Sequence, residues 1–408
     1  MISLPEDVKY LLNTLKNNGY KAYVVGGCVR DTLLGKNPKD WDITTDAIPR
    51  VVNSYFDNTI EVGRRFGTVK VLLNDNDYEI TTFRRDGEYN DSRRPDKVFF
   101  SKEIKDDLRR RDFTINAMAY NPETGLIDLF DGRKHLIQQK IMCVGNAGER
   151  FCEDALRILR GIRFASQFQF KVEQKTYEAM IKNKERLNDI SAERIQQELN
   201  KILLSSKPSV GISLADQTGI LKTLFPGCKE NLCKEEDFKR IDSLEPDLLL
   251  RLTGILQLLT NDANIHSMET SRTILKRLKY DRKTVARADS LLNAWARISN
   301  VDSSLELKGL IREVGKEDTS LLLKLYEAEP YNKRHAFFLK ELYEGILDRA
   351  EPIDYQDLNI SGKDLIQEGF RGREIRETIE MLINTVHNNP DKNKKEVLLE
   401  LIKNMKNR

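Results

Sequence analysis

Val24-Val-Gly-Gly-Cys-Val-Arg-Asp-Thr-Leu-Leu-Gly35, followed by Asp40-Trp-Asp-Ile-Thr44, reads as a strand, a two-glycine turn and a helix start, with a second strand soon after. Paired glycines let backbone N–H groups come close to a phosphate, and Arg30, one turn into the helix, supplies positive charge to the same oxygens. Asp40 and Asp42 are two residues apart, so on a strand both carboxylates share one face and Trp41 points to the other. Neighbouring carboxylates repel unless a cation joins them, and hard oxygen ligands suit Mg²⁺, which takes its remaining ligands from water and substrate phosphates. Asp40 and Asp42 are therefore the candidate catalytic and metal-holding residues, and nucleotidyl transfer is the expected chemistry. A lone Asp-x-Asp is more often a solvated turn; the glycine pair and Arg30 beside it shift the balance. Glu79 is a candidate third carboxylate, with an ordinary half-exposed strand residue as the equal alternative.

Outward from this stretch, Ala22–Val25 reads as the strand that ends at the glycines. Thr68–Leu73 and Tyr78–Phe83 read as a hairpin around the turn cluster Asn74-Asp-Asn-Asp77. Beyond about Gly145 helical spacing takes over, as at Ile158, Ile162 and Ala165 or Ile195, Leu199, Ile202 and Leu203. The expected class is α+β, a mixed sheet followed by an all-α remainder. A chain of 408 residues exceeds one hydrophobic core, so several modules are expected. The net charge of +3 neither demands nor excludes a nucleic-acid partner. No apolar run approaches the roughly 20 residues of a membrane span and the first residues lack a signal-peptide core, which points to a cytoplasmic protein with no membrane partner. The five cysteines include no C-x-x-C pair and read as reduced thiols; none of the four histidines is followed by Asp, so a His-Asp phosphohydrolase has no support.

Further motifs follow in order: R-R-D-F-T-I-N-A-M-A at Arg110–Ala119, F-D-G-R at Phe130–Arg133, E-D-A-L-R-I-L-R-G-I-R-F-A at Glu153–Ala165 and E-R-I-Q-Q-E-L at Glu193–Leu199. With G-G-C-V-R-D-T-L-L-G and D-W-D-I-T-T, they closely resemble the bacterial class II CCA-adding enzymes and poly(A) polymerases, specifically over residues 20–205 and more thinly to Ile360-Ser-Gly-Lys-Asp-Leu365. The resemblance implies a seahorse of DNA-polymerase-beta-like head (1–144), helical neck (145–205), body (206–310) and tRNA-binding tail (311–408). It implies Mg²⁺ on Asp40 and Asp42, nucleotide contacts from Gly27, Arg30 and Arg111, and support from Asp112 and Asn116. It also places Arg160 and Arg163 near the nucleotide. The implied partners are the tRNA 3′ end with its acceptor stem, CTP and ATP, and the implied assembly is a monomer or homodimer.

Asp154 and Arg157, three apart on an expected helix, would share a face, as would Arg157 and Arg160. Cytosine and adenine carry an exocyclic amino donor where uracil and guanine carry a carbonyl. A carboxylate thus accepts from C or A and repels U or G, while Arg157 donates to the adjoining ring acceptor. The plain alternative is a salt bridge within one helix. Steps of three drift around a helix, so Arg163 falls half a turn from Asp154. The helix opening at Ser191, with Arg194, Gln197, Glu198 and Lys201, reads as solvated and amphipathic. Arg371–Arg408 interleaves basic and apolar residues, as an RNA-following surface or as ordinary exterior.

Product identity rests on smaller features. The polar loop Arg84–Pro95 is absent from CC-only members of the family and counts against CC-only activity. Gly63-Arg-Arg-Phe66 resembles the poly(A) polymerases and Phe66-Gly-Thr-Val69 the CCA-adding enzymes, while the short tail favours CCA addition. The expected function is addition of C, C and A to tRNA; A-only addition and poly(A) synthesis are the alternatives. A non-catalytic RNA-binding protein is opposed by the intact Asp40, Asp42, Arg111, Asp154 and Arg157. A small-molecule nucleotidyltransferase would need neither a base-reading helix nor a long helical arm.

Overall fold

The computed structural model describes residues 2–61, 67–87, 97–226, 235–260 and 266–406. The chain packs as two units, Met1–Asn231 and Leu232–Arg408.

The first unit opens with α1 (Glu6–Asn17), which buries Val8, Leu11, Leu12 and Leu15 at helical spacing and carries Glu6 and Asp7 in its first turn, where they suit the helix dipole. Then come β1 (Ala22–Val25), α2 (Gly27–Leu33), β2 (Ile43–Thr45), α3 (Pro49–Tyr55), β3 (Thr59–Ile60), β4 (Thr68–Leu73) and β5 (Asn76–Thr82). After the short ribbon β6 (Arg84–Asp86) and β7 (Val98–Phe100) come α4 (Ile104–Arg109), β8 (Met118–Asn121) and β9 (Gly125–Asp128). The main sheet runs β3-β4-β5-β2-β1-β8-β9, and β2 against β5 is its one parallel pair among the described residues. β1 and β2 are buried at every residue, as befits central strands covered on both faces. On one face Tyr23, Val25 and Ala119 pack with Phe83 and Leu108.

The expected hairpin is present, closed more tightly than its turn cluster suggested. Leu73 pairs with Asn76, and Asn74 and Asp75 both take positive φ (48° and 61°), the two-residue turn whose twist matches the strands.

Helices follow, α5 (Gly132–Ile137), α6 (Ala147–Glu153), α7 (Leu156–Phe168), α8 (Gln174–Asn183), α9 (Ala192–Leu203), α10 (Pro208–Gln217) and α11 (Ile220–Leu224), with a small parallel pair between them, β10 (Lys140–Ile141) and β11 (Lys171–Val172). α7 is the hub, packed against α9 and α10 and buried around most of its circumference. Its Gly161 permits this: a Cβ there would stand 2.5 Å from Met180 Cε and 2.9 Å from Phe113 Cζ. Gly161→Val should therefore destabilise the protein by about 1–3 kcal/mol through overpacking. Chemical denaturation followed by circular dichroism checks this, and an unchanged midpoint would mean that Phe113 and Met180 yield freely. α9 differs from its expected solvated character, because Glu198 is buried and paired with Arg163 of α7 at 3.2 Å.

The second unit is helical throughout its described residues: α12 (Glu235–Ser243), α13 (Leu248–Thr260), α14 (His266–Arg277), α15 (Arg282–Ile298), α16 (Ser304–Val314), α17 (Lys316–Glu327), α18 (Lys333–Asp348), α19 (Gly362–Gln367), α20 (Arg373–Asn388) and α21 (Lys395–Lys406). In the Ile360-Ser-Gly-Lys-Asp-Leu365 segment, Ser361 and Asp364 form a capping box that starts α19. Leu365, Leu382, Val386, Leu398 and Ile402 form the closing core. Buried Lys308 is satisfied by the His387 carbonyl at 3.1 Å and by Glu351, so its charge is not stranded. Among the described residues, no helix is long and apolar enough to cross a membrane.

Candidate active site

The site is assembled where β1 turns into α2. Gly26 has φ +81°, and a Cβ there would lie 2.7 Å from Arg111 Nη1; only glycine accommodates both the backbone and that close approach. Its N–H donates to the Met118 carbonyl at 3.0 Å, tying the turn to β8. Arg111 donates to Asp107 at 3.2 Å. Although burial alone would raise the fully buried Asp107, Arg110 and Arg111 hold its carboxyl below the usual range. Arg111 Nε is buried without a hydrogen-bond partner, a donor waiting beside the glycine turn.

Asp40 and Asp42 are both exposed by accessible area. The strand begins only at Ile43, so the carboxylate pair stands in the extended approach to β2 rather than within it. The reason is the partner: β1 ends at Val25, whose N–H donates to the Asp42 carbonyl at 3.0 Å, and the chain then turns away, leaving Asp40 nothing to pair with. Glu79 is next to Asp42 by register, because Ile43 pairs with Ile80 across the parallel β2 and β5. Asp42 is densely surrounded despite its exposure. Desolvation raises its pKa, Arg111 opposes the rise, and Glu79 and Asp40 add to it. That crowding of like charge, built from hard oxygens, fits a divalent cation. Among the described residues no three His, Cys, Asp or Glu side chains close around a metal by themselves.

Arg30 is buried rather than presented to solvent. It donates to Asp31 at 2.8 Å and Asn116 at 2.5 Å, and its guanidinium lies 5.3 Å and 4.8 Å from the Phe164 and Phe168 ring centres. Gly27 is beside it, a Cβ there falling 3.6 Å from Arg30 Nη2. Asn116 in turn donates to Asp112 at 3.1 Å, and Asp112 accepts from Arg160 Nε at 2.7 Å and the Phe113 N–H at 2.8 Å. Against the upward push of its burial, these partners hold Asp112 well below the ordinary carboxylate range. A continuous chain of charge-assisted hydrogen bonds thus runs from α2 through Asn116 and Asp112 to α7.

Asp154 is not on the helix with Arg157. It has φ −149° and ψ 102° between α6 and α7, and Oδ1 accepts the Leu156 N–H at 3.1 Å. That local bond competes with helical continuation and breaks the chain there. Asp154 pairs instead with Arg194 of α9, at 2.7 Å and 3.2 Å. Arg157 is anchored by Glu153 and by the carbonyls of Arg150 and Arg110, at 3.0 Å and 3.1 Å. Arg160 and Arg163 meet at one ring, their guanidinium carbons 5.6 Å and 4.5 Å from the Phe164 centre. Desolvation lowers Arg163 to about 10 against the opposing pull of Glu198.

Arg194 and Phe164 escaped the sequence reading. Arg194 was placed on a solvated face, and no local spacing announces a partner 40 residues away. The Arg84–Pro95 loop begins as β6, paired with β7 through Arg84 and Phe100; residues 88–96 and all of Gly63–Phe66 lie outside the described residues. Cys28, Cys143 and Cys152 are free thiols, and burial pushes Cys28 and Cys143 up to about 12, so neither supplies a nucleophile.

Residues 22–142 match the Poly A polymerase head domain and residues 169–232 the Probable RNA and SrmB- binding site of polymerase A. The CCA-adding enzyme of Pediococcus pentosaceus is 36% identical over 97% of each chain, and that of Enterococcus faecalis is 35% identical over 100% of this chain and 98% of its own. A crystal structure of the Bacillus stearothermophilus CCA-adding enzyme in complex with CTP is 29% identical, covers 99% of each chain and superposes with a TM-score of 0.80. With a carboxylate pair at a glycine turn and whole-length similarity of this order, the chain belongs to the CCA-adding enzymes, nucleotidyltransferases built on the poly(A) polymerase head.

Proposed function

We propose that the chain adds C, C and A to the 3′ end of tRNA from CTP and ATP without a template, releasing pyrophosphate at each step. The observation that carries this reading is the placement of Asp40, Asp42 and Glu79 next to Arg111, whose buried Nε has no protein partner. Asp40 and Asp42, with Glu79 alongside, would hold Mg²⁺, which supplies activation of the attacking 3′-hydroxyl and neutralises the leaving pyrophosphate. Arg111 takes the negative charge of the incoming triphosphate, and the turn at Gly26 and Gly27 leaves room for it. Arg30, Arg160 and Arg163 converge on the Phe164 ring on that side, each balanced by a carboxylate, Asp31, Asp112 and Glu198.

Asp154 reads the base by accepting the exocyclic amino group of C or A. A carboxylate has about four lone-pair sites, so it does this without releasing Arg194. Arg157, fixed by Glu153 and two carbonyls, presents the donor beside it. Residues 1–144 serve as the catalytic head, 145–205 as the neck that reads the base, 206–310 as body and 311–408 as the tail that holds tRNA.

The deciding assay incubates the protein with Mg²⁺, each nucleotide singly, and tRNA ending either at the discriminator base or in CC. CTP should extend the first and ATP the second. Product from the CC-ending tRNA alone would mean A-only addition; long A tracts on unrelated RNA would mean poly(A) synthesis.

A further inference from the structure

Asp107 lies just ahead of the Arg110–Ala119 motif, and its side chain is fully buried. It sits on α4 beside Leu108, which packs with Tyr23 and Val25 of β1, so this short helix is fixed against the strand that leads into the glycine turn. A buried carboxylate is costly unless its oxygens find partners. Here the two oxygens are divided between two arginines. Oδ1 accepts from Arg110 Nε and Nη2 at 3.0 Å and 2.6 Å, and Oδ2 accepts from Arg111 Nη2 at 3.2 Å.

Two guanidinium groups thus meet one carboxylate, and the cluster keeps a net positive charge. Arg110, with two bonds to one oxygen, answers the charge of Asp107; the surplus falls on Arg111. The rest of that guanidinium faces the turn: a Cβ on Gly26 would lie 2.7 Å from Nη1, and Nε is buried without a hydrogen-bond partner. An unrestrained arginine loses considerable rotamer entropy when a ligand fixes it. Holding Nη2 in the folded protein removes that loss from the binding step. Stability alone does not call for the arrangement, because a buried ion pair is often no better than apolar residues of the same volume.

We propose that Asp107 is a positioning residue for nucleotide binding: it holds Arg111 in the orientation that meets the triphosphate of CTP or ATP, while Arg110 as counter-charge leaves the positive charge of Arg111 available. The inference rests on Arg111 taking the triphosphate charge. It is tested by calorimetric Kd values for CTP and ATP with Mg²⁺, on the full chain without tRNA, for Asp107→Asn, Arg111→Ala and the double variant, each with a thermal melt. Asp107→Asn keeps the shape and an acceptor oxygen but loses the charge that directs Nη2. By electrostatics alone, removing a negative charge would tighten an anionic ligand, so weaker binding reports lost orientation. Both Kd values should rise about fivefold or more, since charge-assisted hydrogen bonds are roughly twice as strong as neutral ones. The factor should be the same for both nucleotides, which share the triphosphate, and KM for tRNA should stay unchanged. The double variant should bind no more weakly than Arg111→Ala, because Asp107 acts through Arg111.

Unchanged or tighter binding in Asp107→Asn overturns the proposal. So does a loss that adds in full to that of Arg111→Ala, which would make Asp107 a support of the fold. If Asp107→Asn does not fold, Arg111→Lys decides: it keeps the charge but loses the fork that Asp107 orients, and an unchanged Kd overturns the proposal. If Arg111→Ala itself binds both nucleotides normally, the triphosphate role of Arg111 falls and this inference with it. If Arg111→Ala binds weakly and Asp107→Asn normally, that role stands and the positioning by Asp107 falls.

Discussion

Asp42→Ala is expected to abolish incorporation of C and of A on every primer, by about 10³-fold or more, the order expected when a group that stabilises transition-state charge is removed. Asp42 is exposed and surrounded by Asp40 and Glu79. Deleting it therefore relieves repulsion and should leave the fold as stable as before, or slightly more so. Single-turnover incorporation at saturating Mg²⁺ and nucleotide, together with a thermal melt, separates the two effects. An active Asp42→Ala protein would remove the metal-centre assignment, and an unfolded one would show that the residue is structural. Glu79→Ala run alongside decides whether the third carboxylate, adjacent by strand register, takes part: a comparable loss includes it, and near-normal turnover leaves it a bystander.

Asp154→Ala should be the second largest change, and it should appear as lost choice rather than lost chemistry. Discrimination of C and A against U and G is expected to fall on the order of a hundredfold, the scale set by one matched, charged hydrogen bond at a desolvated site. The measurement is misincorporation of each nucleotide, as kcat/KM, on the same tRNA. Unchanged U and G incorporation would end the base-reading role. Arg194 supplies the internal control. It is the partner of Asp154, so Arg194→Lys keeps the carboxylate and its charge balance but loses the bidentate grip that fixes its direction. Selectivity intermediate between the unaltered protein and Asp154→Ala is the expected result.

Much of the catalytic head was legible because its signals are local. A glycine pair after a β-rich run marked the β1 to α2 turn, and the cluster Asn74–Asp77 marked the hairpin, though only Asn74 and Asp75 form its turn; each is set by backbone preference within a few residues. The carboxylates were legible as a pair, but their exact setting was not, since where β2 begins depends on where its neighbour β1 ends. The region expected to read the base failed for a different reason. Helical spacing runs unbroken through Glu153-Asp-Ala-Leu-Arg157, and nothing in it reports that Asp154 caps the Leu156 N–H instead. The polar face of α9 looked solvated because its partners, Asp154 at the α6–α7 junction and Arg163 within α7, come some 35–40 residues earlier. Long-range pairing of polar groups leaves no period to read.

The bonds from Arg160 through Asp112 and Asn116 to Arg30 constrain how such an enzyme can be redesigned. Groups that share one network give non-additive effects when replaced, so a change at Arg160 of α7 also disturbs Arg30 of α2. A replacement of Arg160 that keeps the protein active is therefore expected among coordinated changes at positions 30, 112, 116 and 160 rather than among single substitutions.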